Sequence, residues 1–393
     1  MNPQALIAGG GIGGLAAALA CARAGCDVRL YEQAAAFSEV GAGVQLGPNA
    51  VRRLHGWGLA QALAAVAAQP GHLCVRNAIS GQPLATLPLN PDMAQRYGAP
   101  YCTVHRADLH AVLLDALARE GGARLKTACP VRAVRQDGGS VTLSLMSDLD
   151  VEGDLLVGAD GLWSTVRQHL LGDGAAVPTG HVAYRALAVQ QALPAALRSQ
   201  QVTAWLGPRL HVVAYPVRRG ELLNLVAIVQ GPPRGDAQDW DQAAVAAELQ
   251  AAMGETCTAV RDLVQAMPHW RLWMLNARAP VSGPQALVNG RVALLGDAAH
   301  PMLPYLAQGA GMAIEDAAEL GSLLTMTSAA ALDVPLALSR YALNRWQRVA
   351  RVQARSLRNG RIFHATGAMQ AARDGALRLL GRHILDVPWL YAG

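Results

Sequence analysis

The chain has 393 residues, enough for two or three domains around a large buried core. Its hydrophobic fraction is 52% and its mean hydropathy +0.19, with alanine contributing heavily, and no apolar run reaches the length of a membrane span. The formal charge is +5, but the arginines are scattered and lysine occurs only at Lys126, which argues against a nucleic-acid surface and for a soluble protein whose field attracts anionic small molecules.

Ala5–Ala8 reads as a short apolar strand. Gly9, Gly11 and Gly14 follow in G-x-G-x-x-G spacing, with Gly13 inside the turn. Leu15–Ala24 reads as an alanine-rich helix, and Val28–Tyr31 as a second strand ending in Glu32. Strand, glycine turn, helix, strand and acid form the setting that a dinucleotide fingerprint requires. Gly9 allows the turn, Gly11 lets backbone approach a pyrophosphate, and Gly14 lets the helix pack close to the sheet. Glu32 suits ribose hydroxyls and disfavours a 2′-phosphate. The N-terminus has no basic region before its apolar stretch, so no secretory leader is expected. The six cysteines (21, 26, 74, 102, 129 and 257) show neither a C-x-x-C pair nor metal-ligand spacing, so a reducing cytoplasm and no bound metal are expected.

Gly41–Ala50 reads as a loop leading into a helix near 49–68. Residues 72–104 read as β-structure broken by prolines. Arg106–Glu120 is an amphipathic helix with Leu109, Val112, Leu113 and Leu117 on one face. Residues 123–160 alternate as short strands and finish at Asp160-Gly161, an acid at the carboxyl edge of a buried strand. Residues 180–230 are strand-rich, 239–267 helical, and Trp270–Leu275 strand again. Arg291–Leu295 is an apolar run ending in Gly296-Asp297. Pro301 and Pro304 then keep the chain out of helix until Gly309-Ala310-Gly311 opens one that carries Glu315 and Asp316. An acid at a strand end followed by a glycine-opened helix N-terminus suits a polyol and a developing negative charge. Residues 311–326 and 338–381 read as helical. The fold class is α/β, with a nucleotide domain interrupted by a β-rich insertion, completed late in the chain and followed by helices. There are no internal repeats.

Three separated segments, Gly9–Glu32, Gly158–Arg167 (GADGLWSTVR) and Gly296–Pro301 (GDAAHP), carry a resemblance. In this order the chain resembles the single-component FAD-dependent aromatic hydroxylases, class A flavoprotein monooxygenases with the p-hydroxybenzoate hydroxylase fold. It looks most like the salicylate, 3-hydroxybenzoate 6- and 6-hydroxynicotinate hydroxylase branch. The resemblance implies a Rossmann-like FAD-binding domain in three parts (1–72, 101–178 and 277–335), interrupted by a β-sheet-rich substrate domain (73–100 and 179–276) and followed by C-terminal helices (336–393). It implies non-covalent FAD held by Gly9, Gly11, Gly13, Gly14, Glu32, Gln45, Arg106, Asp160, Asp297, Pro304, Gly309, Ala310, Gly311 and Met312. Asp297 falls on the ribitol hydroxyls and Gly309–Met312 under the flavin ring.

A second G-x-G-x-x-G is missing, so NAD(P)H is expected to bind transiently without a Rossmann domain of its own. The implied reaction takes NAD(P)H and O2 to a flavin C4a-hydroperoxide, whose distal oxygen attacks a phenolic or hydroxylated aromatic carboxylate. Ring activation needs removal of a phenolic proton. His211 and Tyr215 stand four apart on one strand face, and the nearest hydroxylases carry His-x-x-x-Tyr-Pro there, so this pair is the expected acid–base site. Arg185 follows the family pattern without a defined role, and His300 is equally readable as structural or catalytic. Met302, Leu303, Trp205 and Leu225 are candidate pocket walls. Two positions depart from the branch. Gly47 stands where 6-hydroxynicotinate hydroxylases tend to carry histidine, and Pro304 where 3-hydroxybenzoate 6-hydroxylases tend to carry glutamine. A cytoplasmic monomer or homodimer is expected. A flavin oxidase or dehydrogenase without oxygen insertion, and a non-enzymatic flavin-binding regulator, are the readings from other classes.

Overall fold

The computed structural model describes residues 2–37, 42–232, 235–239, 241–327 and 333–393. Gly41, at the head of the expected 41–50 loop, lies outside them. The chain divides into two compact units. One comprises Met1–Glu39, Leu109–Ala176 and Arg278–Arg355; the other comprises Val40–Asp108, Val177–Ala277 and Ser356–Gly393.

The first unit is built on a six-stranded sheet in the order Val288–Asn289, Val292–Leu294, Leu155–Gly158, Gln4–Ala8, Asp27–Tyr31, Arg124–Lys126. Every pairing is parallel except the first. Its central strands read ALIA and LLVG because parallel strands are covered on both faces, and Ala5–Ala8 have no exposed surface. The helix Ile12–Arg23 is buried around most of its circumference, which its alanines permit. A separate three-stranded antiparallel sheet comprises Val131–Gln136, Val141–Leu145 and Asp150–Gly153.

The second unit holds an eight-stranded sheet in the order Gln242–Ala244, Trp270–Ala277, Val177–Val189, Leu222–Gln230, Leu210–Val217, Val202–Gly207, His72–Asn77, Pro83–Pro88. Side chains alternate faces along each strand. Val212, Ala214, Leu223, Leu225 and Ala227 point one way, into a core completed by Leu249, Met253, Val260 and Leu263 from the short helices Ala246–Met253 and Thr258–Ala266. The alternate set, His211, Tyr215, Asn224 and Arg185, therefore lies on the opposite face, with Tyr215 paired to Asn224. On that second face Leu377 of the helix Gly367–Leu385 packs against Val75, Leu84 and Leu206.

Several elements differ from the sequence reading. The stretch 72–104 is not all β: Asp92–Tyr97 is a helix closed by Gly98 in the left-handed region (φ 76°). The 239–267 stretch begins with a strand, Gln242–Ala244, before its helices. The 49–68 helix is two, Pro48–Gly56 and Ala60–Val66, and the 338–381 helix is two, Val334–Phe363 and Gly367–Leu385. Alternation also corrects two pocket walls. Trp205 pairs with Val212 and Leu225 with Ala214, so both lie in the core on the face away from Tyr215.

Asn77 ties the C-terminal helix to this sheet. Its Nδ2 donates to Asp374 Oδ2 at 2.7 Å, while its Oδ1 accepts from Ile79 N and Ser80 N at 2.8 and 2.9 Å. We expect Asn77→Ala to lower unfolding free energy by about 2–3 kcal/mol, through a lost turn and a half-satisfied buried carboxylate. Chemical denaturation of the intact protein measures it.

Candidate active site

The glycine turn of the first unit packs directly against the backbone of Ala159 and Asp160. Gly9 has φ 100°, and a Cβ there would come 2.4 Å from Ala159 O; a Cβ on Gly14 would come 1.9 Å from Gly9 O. Both positions thus exclude any larger residue. Gly11 begins the helix Ile12–Arg23, which has no side-chain cap and no acid in its first turn. Its first N–H groups and positive dipole end suit an anion. Gly13 packs against the helix Gly309–Thr327 and the sheet, a Cβ there lying 3.4 Å from Ala313 Cβ and 3.1 Å from Leu295. The turn is also braced from outside. Glu32 accepts from Gly10 N at 2.6 Å and from Ala34 N at 2.7 Å, and His110 Nε2 bonds Gly10 O at 2.8 Å. Each Glu32 oxygen has a second lone pair, so the carboxylate can still accept ribose hydroxyls. A turn that admits only glycine, an uncapped helix start and an acid at the next strand end fit a dinucleotide.

Asp160 is largely a local organiser. It accepts from the Ser164 hydroxyl at 2.5 Å and from Val166 N at 3.1 Å, and burial raises its carboxyl against those bonds. Ser164 in turn caps the helix Thr165–Leu171. Arg167 from that helix links two motif segments. It binds the Asp173 carboxylate and donates through Nη1 to Ala298 O (3.0 Å) and Ala299 O (2.6 Å). The turn that carries Asp297 is therefore fixed from behind.

Asp297 itself is exposed, and a Cβ on Gly309 would lie 3.9 Å from its Oδ1. The carboxylate thus faces the start of the helix Gly309–Thr327, where Gly309 and Ala310 are half-buried and Gly311 and Met312 buried. Pro304 is exposed and begins a single 3₁₀ turn, Pro304–Leu306. Beneath this surface sits a buried charge cluster. Asp316 Oδ2 receives His300 Nε2 at 2.5 Å and Gly296 N at 3.2 Å, and its Oδ1 receives Arg345 Nε at 2.7 Å. Arg345 and Arg348 also bind Glu315. Burial alone would raise the Asp316 carboxyl, but His300 and Arg345 outweigh it and hold it at about 2. His300 thus has a structural partner.

In the second unit, Gln45 lies on the strand Gly43–Leu46, paired with Cys102–His105. Tyr215 donates to Gly43 O at 2.7 Å and is hydrogen-bonded to the Gln45 side chain. Tyr101 donates to Gln45 Oε1 at 2.9 Å, and Asn224 Oδ1 accepts from Gly43 N at 2.8 Å. Gly43 must be glycine here, because a Cβ would come 2.4 Å from the Tyr215 ring. Burial drives the Tyr215 hydroxyl well above its ordinary range, so it stays protonated. Burial pushes the His211 imidazole well below its ordinary range, with His364 and His181 adding to the shift, so it stays neutral. Arg106 opens the helix Arg106–Glu120 and donates its backbone N to Ala42 O at 2.8 Å. Arg185 binds Asp241 at 2.5 Å, its guanidinium 5.3 Å from the Trp273 ring centre.

The Gly47 departure has a physical partner. A Cβ at Gly47 would come 2.6 Å from Asn49 Oδ1 and 2.9 Å from the Tyr391 ring, so those two side chains take the space a histidine at 47 would need. Sequence reasoning missed Asn224, Tyr101, His110 and Arg345. Asn224 was findable as the lone polar residue in LLNLVAIV. Arg345 was not, because the helix Val334–Phe363 carries arginine at several positions and only packing selects the buried one.

A family model described as an FAD binding domain matches residues 2–365. A 3-hydroxybenzoate 6-hydroxylase of Polaromonas naphthalenivorans (strain CJ2) is 37% identical over 390 residues, covering 98% of this chain and 95% of that protein. A 3-amino-4-hydroxybenzoate 2-monooxygenase of Streptomyces platensis is 39% identical over 391 residues, covering 99% and 96%. Among solved structures, Klebsiella pneumoniae HpxO complexed with FAD and uric acid superposes with a TM-score of 0.86 at 28% identity, covering 99% of this chain and 96% of that one.

Two outcomes follow from this geometry. Gly14→Ala should yield protein with little or no bound FAD, read from the flavin-to-protein absorbance ratio after purification. Arg345→Met should cost about 3–5 kcal/mol by stranding buried carboxylate charge. The folded Asp316 value lies below its ordinary 3.8, so its share of stability is present above that value and lost as pH falls toward about 2. Without Arg345 the loss should begin at higher pH in acid-unfolding curves.

Proposed function

The chain belongs to the family of FAD-dependent aromatic hydroxylases, and from that premise we propose that it hydroxylates a phenolic benzoate or a close analogue with NAD(P)H and O2. Two relatives named for hydroxybenzoates at 37% and 39% identity over nearly the whole chain support that substrate class. The observation that carries the reading is one buried strand face bearing a tyrosine and a histidine four residues apart.

Electron transfer from NAD(P)H to O2 is the chemistry of the bound flavin. We assign its binding to Gly9, Gly11, Gly13, Gly14, Glu32, Gln45, Arg106, Asp160, Asp297, Pro304 and Gly309–Met312. The glycines admit backbone N–H groups to the pyrophosphate, Glu32 and Asp297 accept from hydroxyls, and the start of the helix Gly309–Thr327 sets a positive dipole end against negative charge.

The protein's own task is the substrate proton. An aromatic ring is attacked by electrophilic oxygen only when electron-rich, and a phenolate is richer than a phenol. His211 keeps a lone pair because burial holds it neutral, and because the same burial disfavours its imidazolium it shares the phenolic proton in a hydrogen bond rather than carrying it away. Tyr215, protonated because it is buried, donates a hydrogen bond to a substrate oxygen when its O–H turns from Gly43 O. Gln45 and Asn224 hold Tyr215 and Gly43 in place during that turn.

Purified protein should oxidise NADH or NADPH faster in the presence of one member of a panel of hydroxybenzoates and hydroxypyridine carboxylates, with a hydroxylated product. Tyr215→Phe should keep its flavin and lose about 10- to 100-fold in product formation. Unchanged turnover of the true substrate would remove Tyr215 from the reaction.

A further inference from the structure

At the outer edge of the first unit's six-stranded sheet, three cations share one face. Arg29 stands beside Arg124 on the neighbouring parallel strand, and Tyr31 beside Lys126. Residues two apart on a strand point the same way, so these four side chains form a two-by-two block. Leu6, beside Arg29 on the other flank, continues the face inward and is covered by Gly153 at the end of the strand Asp150–Gly153. The three-stranded sheet thus closes the inner part of the face. The outer part is left as a cleft of about 450 Å³, walled by the charged block, Gln4 and residues 149–152.

The cleft is separate from the dinucleotide fingerprint. Gly9–Gly14 and Glu32 follow the carboxyl ends of their strands, whereas the cleft runs along a sheet face and reaches back to Gln4 and Arg124, each the first residue of its strand.

Like charges side by side repel, and nothing in the protein offsets them here. Among the described residues none of the three cations forms an ion pair, and Arg29 Nε is buried without a hydrogen-bond partner. Two acids share the wall. Asp150 accepts from Arg135 Nη2 at 2.6 Å, which leaves Glu152 against three cations. Arg29 also bonds to the Tyr31 side chain, and burial raises that hydroxyl above its ordinary range. A guanidinium only donates, so the Tyr31 oxygen accepts and its own O–H remains to donate. Two guanidinium forks, an ammonium and a phenol make a donor set without a matching acceptor. One fork fills a carboxylate, whereas a phosphate has oxygens for all three cations. The volume exceeds what inorganic phosphate needs, and Leu149 and Val151 supply an apolar wall. We propose that this cleft binds a phosphate monoester, its dianionic head held by Arg29, Arg124 and Lys126 and its organic body against Leu149 and Val151.

Calorimetric titration of the FAD-loaded protein tests it, with butyl phosphate, inorganic phosphate and valerate as probes. Butyl phosphate should bind once per chain, at least about 5-fold more tightly than inorganic phosphate because its chain is buried. Valerate, with the same chain and a carboxylate head, should bind at least about 10-fold more weakly than butyl phosphate. Arg124→Gln and Lys126→Gln, both at exposed positions, should each weaken butyl phosphate by about 10-fold or more with flavin retained. Arg132→Gln, outside the cleft, should change it by less than about 2-fold, since it alters only the general field. No heat of binding up to about 10 mM butyl phosphate overturns the proposal. So does valerate binding as tightly, inorganic phosphate binding as tightly, affinity unchanged in Arg124→Gln and Lys126→Gln, or an equal loss in Arg132→Gln.

Discussion

A buried carboxylate cannot stay charged unless the protein surrounds it with compensating groups, and Asp316 organises the late part of the first unit on that basis. It has no exposed surface and sits among His300, Arg345 and the Gly296 amide. Those partners come from the Gly296–Pro301 turn and the long helix Val334–Phe363. Satisfying one charge therefore fixes two segments relative to the start of the helix Gly309–Thr327. Asp297, one residue after Gly296, is exposed because its neighbours are held from beneath. The bidentate Arg167–Asp173 contact and the Arg167 bonds to Ala298 O and Ala299 O complete the same task from the other side.

The second unit obeys a different constraint, the two-residue alternation of an antiparallel sheet. One register of the strand Leu210–Val217 gives Leu210, Val212 and Ala214 to the core. The other gives His211 and Tyr215 to the opposite face. A slip of one residue would bury the polar pair among Leu249 and Leu263, so the apolar core enforces the chemistry of its reverse side. Burial then divides labour between the two polar groups. The same low-dielectric setting keeps a phenol protonated and an imidazole neutral, because in each case the charged form is the one disfavoured.

Much of this was legible in the sequence because local rules and global fold agree there. Strand, glycine turn, helix and acid at residues 4–32 each follow from short-range sterics. His211 and Tyr215 fall on one face by simple period. What stayed hidden depends on partners remote in sequence. His364 is 153 residues from His211, Arg345 is 29 from Asp316, and Tyr101 is 56 from Gln45. Trp205 and Leu225 were expected as pocket walls because large apolar residues suit a pocket, and strand parity sends them to the core instead. The helix Asp92–Tyr97 was missed because its flanking prolines read as strand breaks, whereas Gly98 closes it.

The contact between Gly47 and the Tyr391 ring couples two positions at opposite ends of the sequence. A side chain gained at 47 would meet Asn49 Oδ1 at 2.6 Å and the Tyr391 ring at 2.9 Å, so both neighbours must give way, and the ring gives way only by being shed or shrunk. The last turn of the chain, far from any motif, thereby sets which substitutions beside the strand Gly43–Leu46 are open to selection.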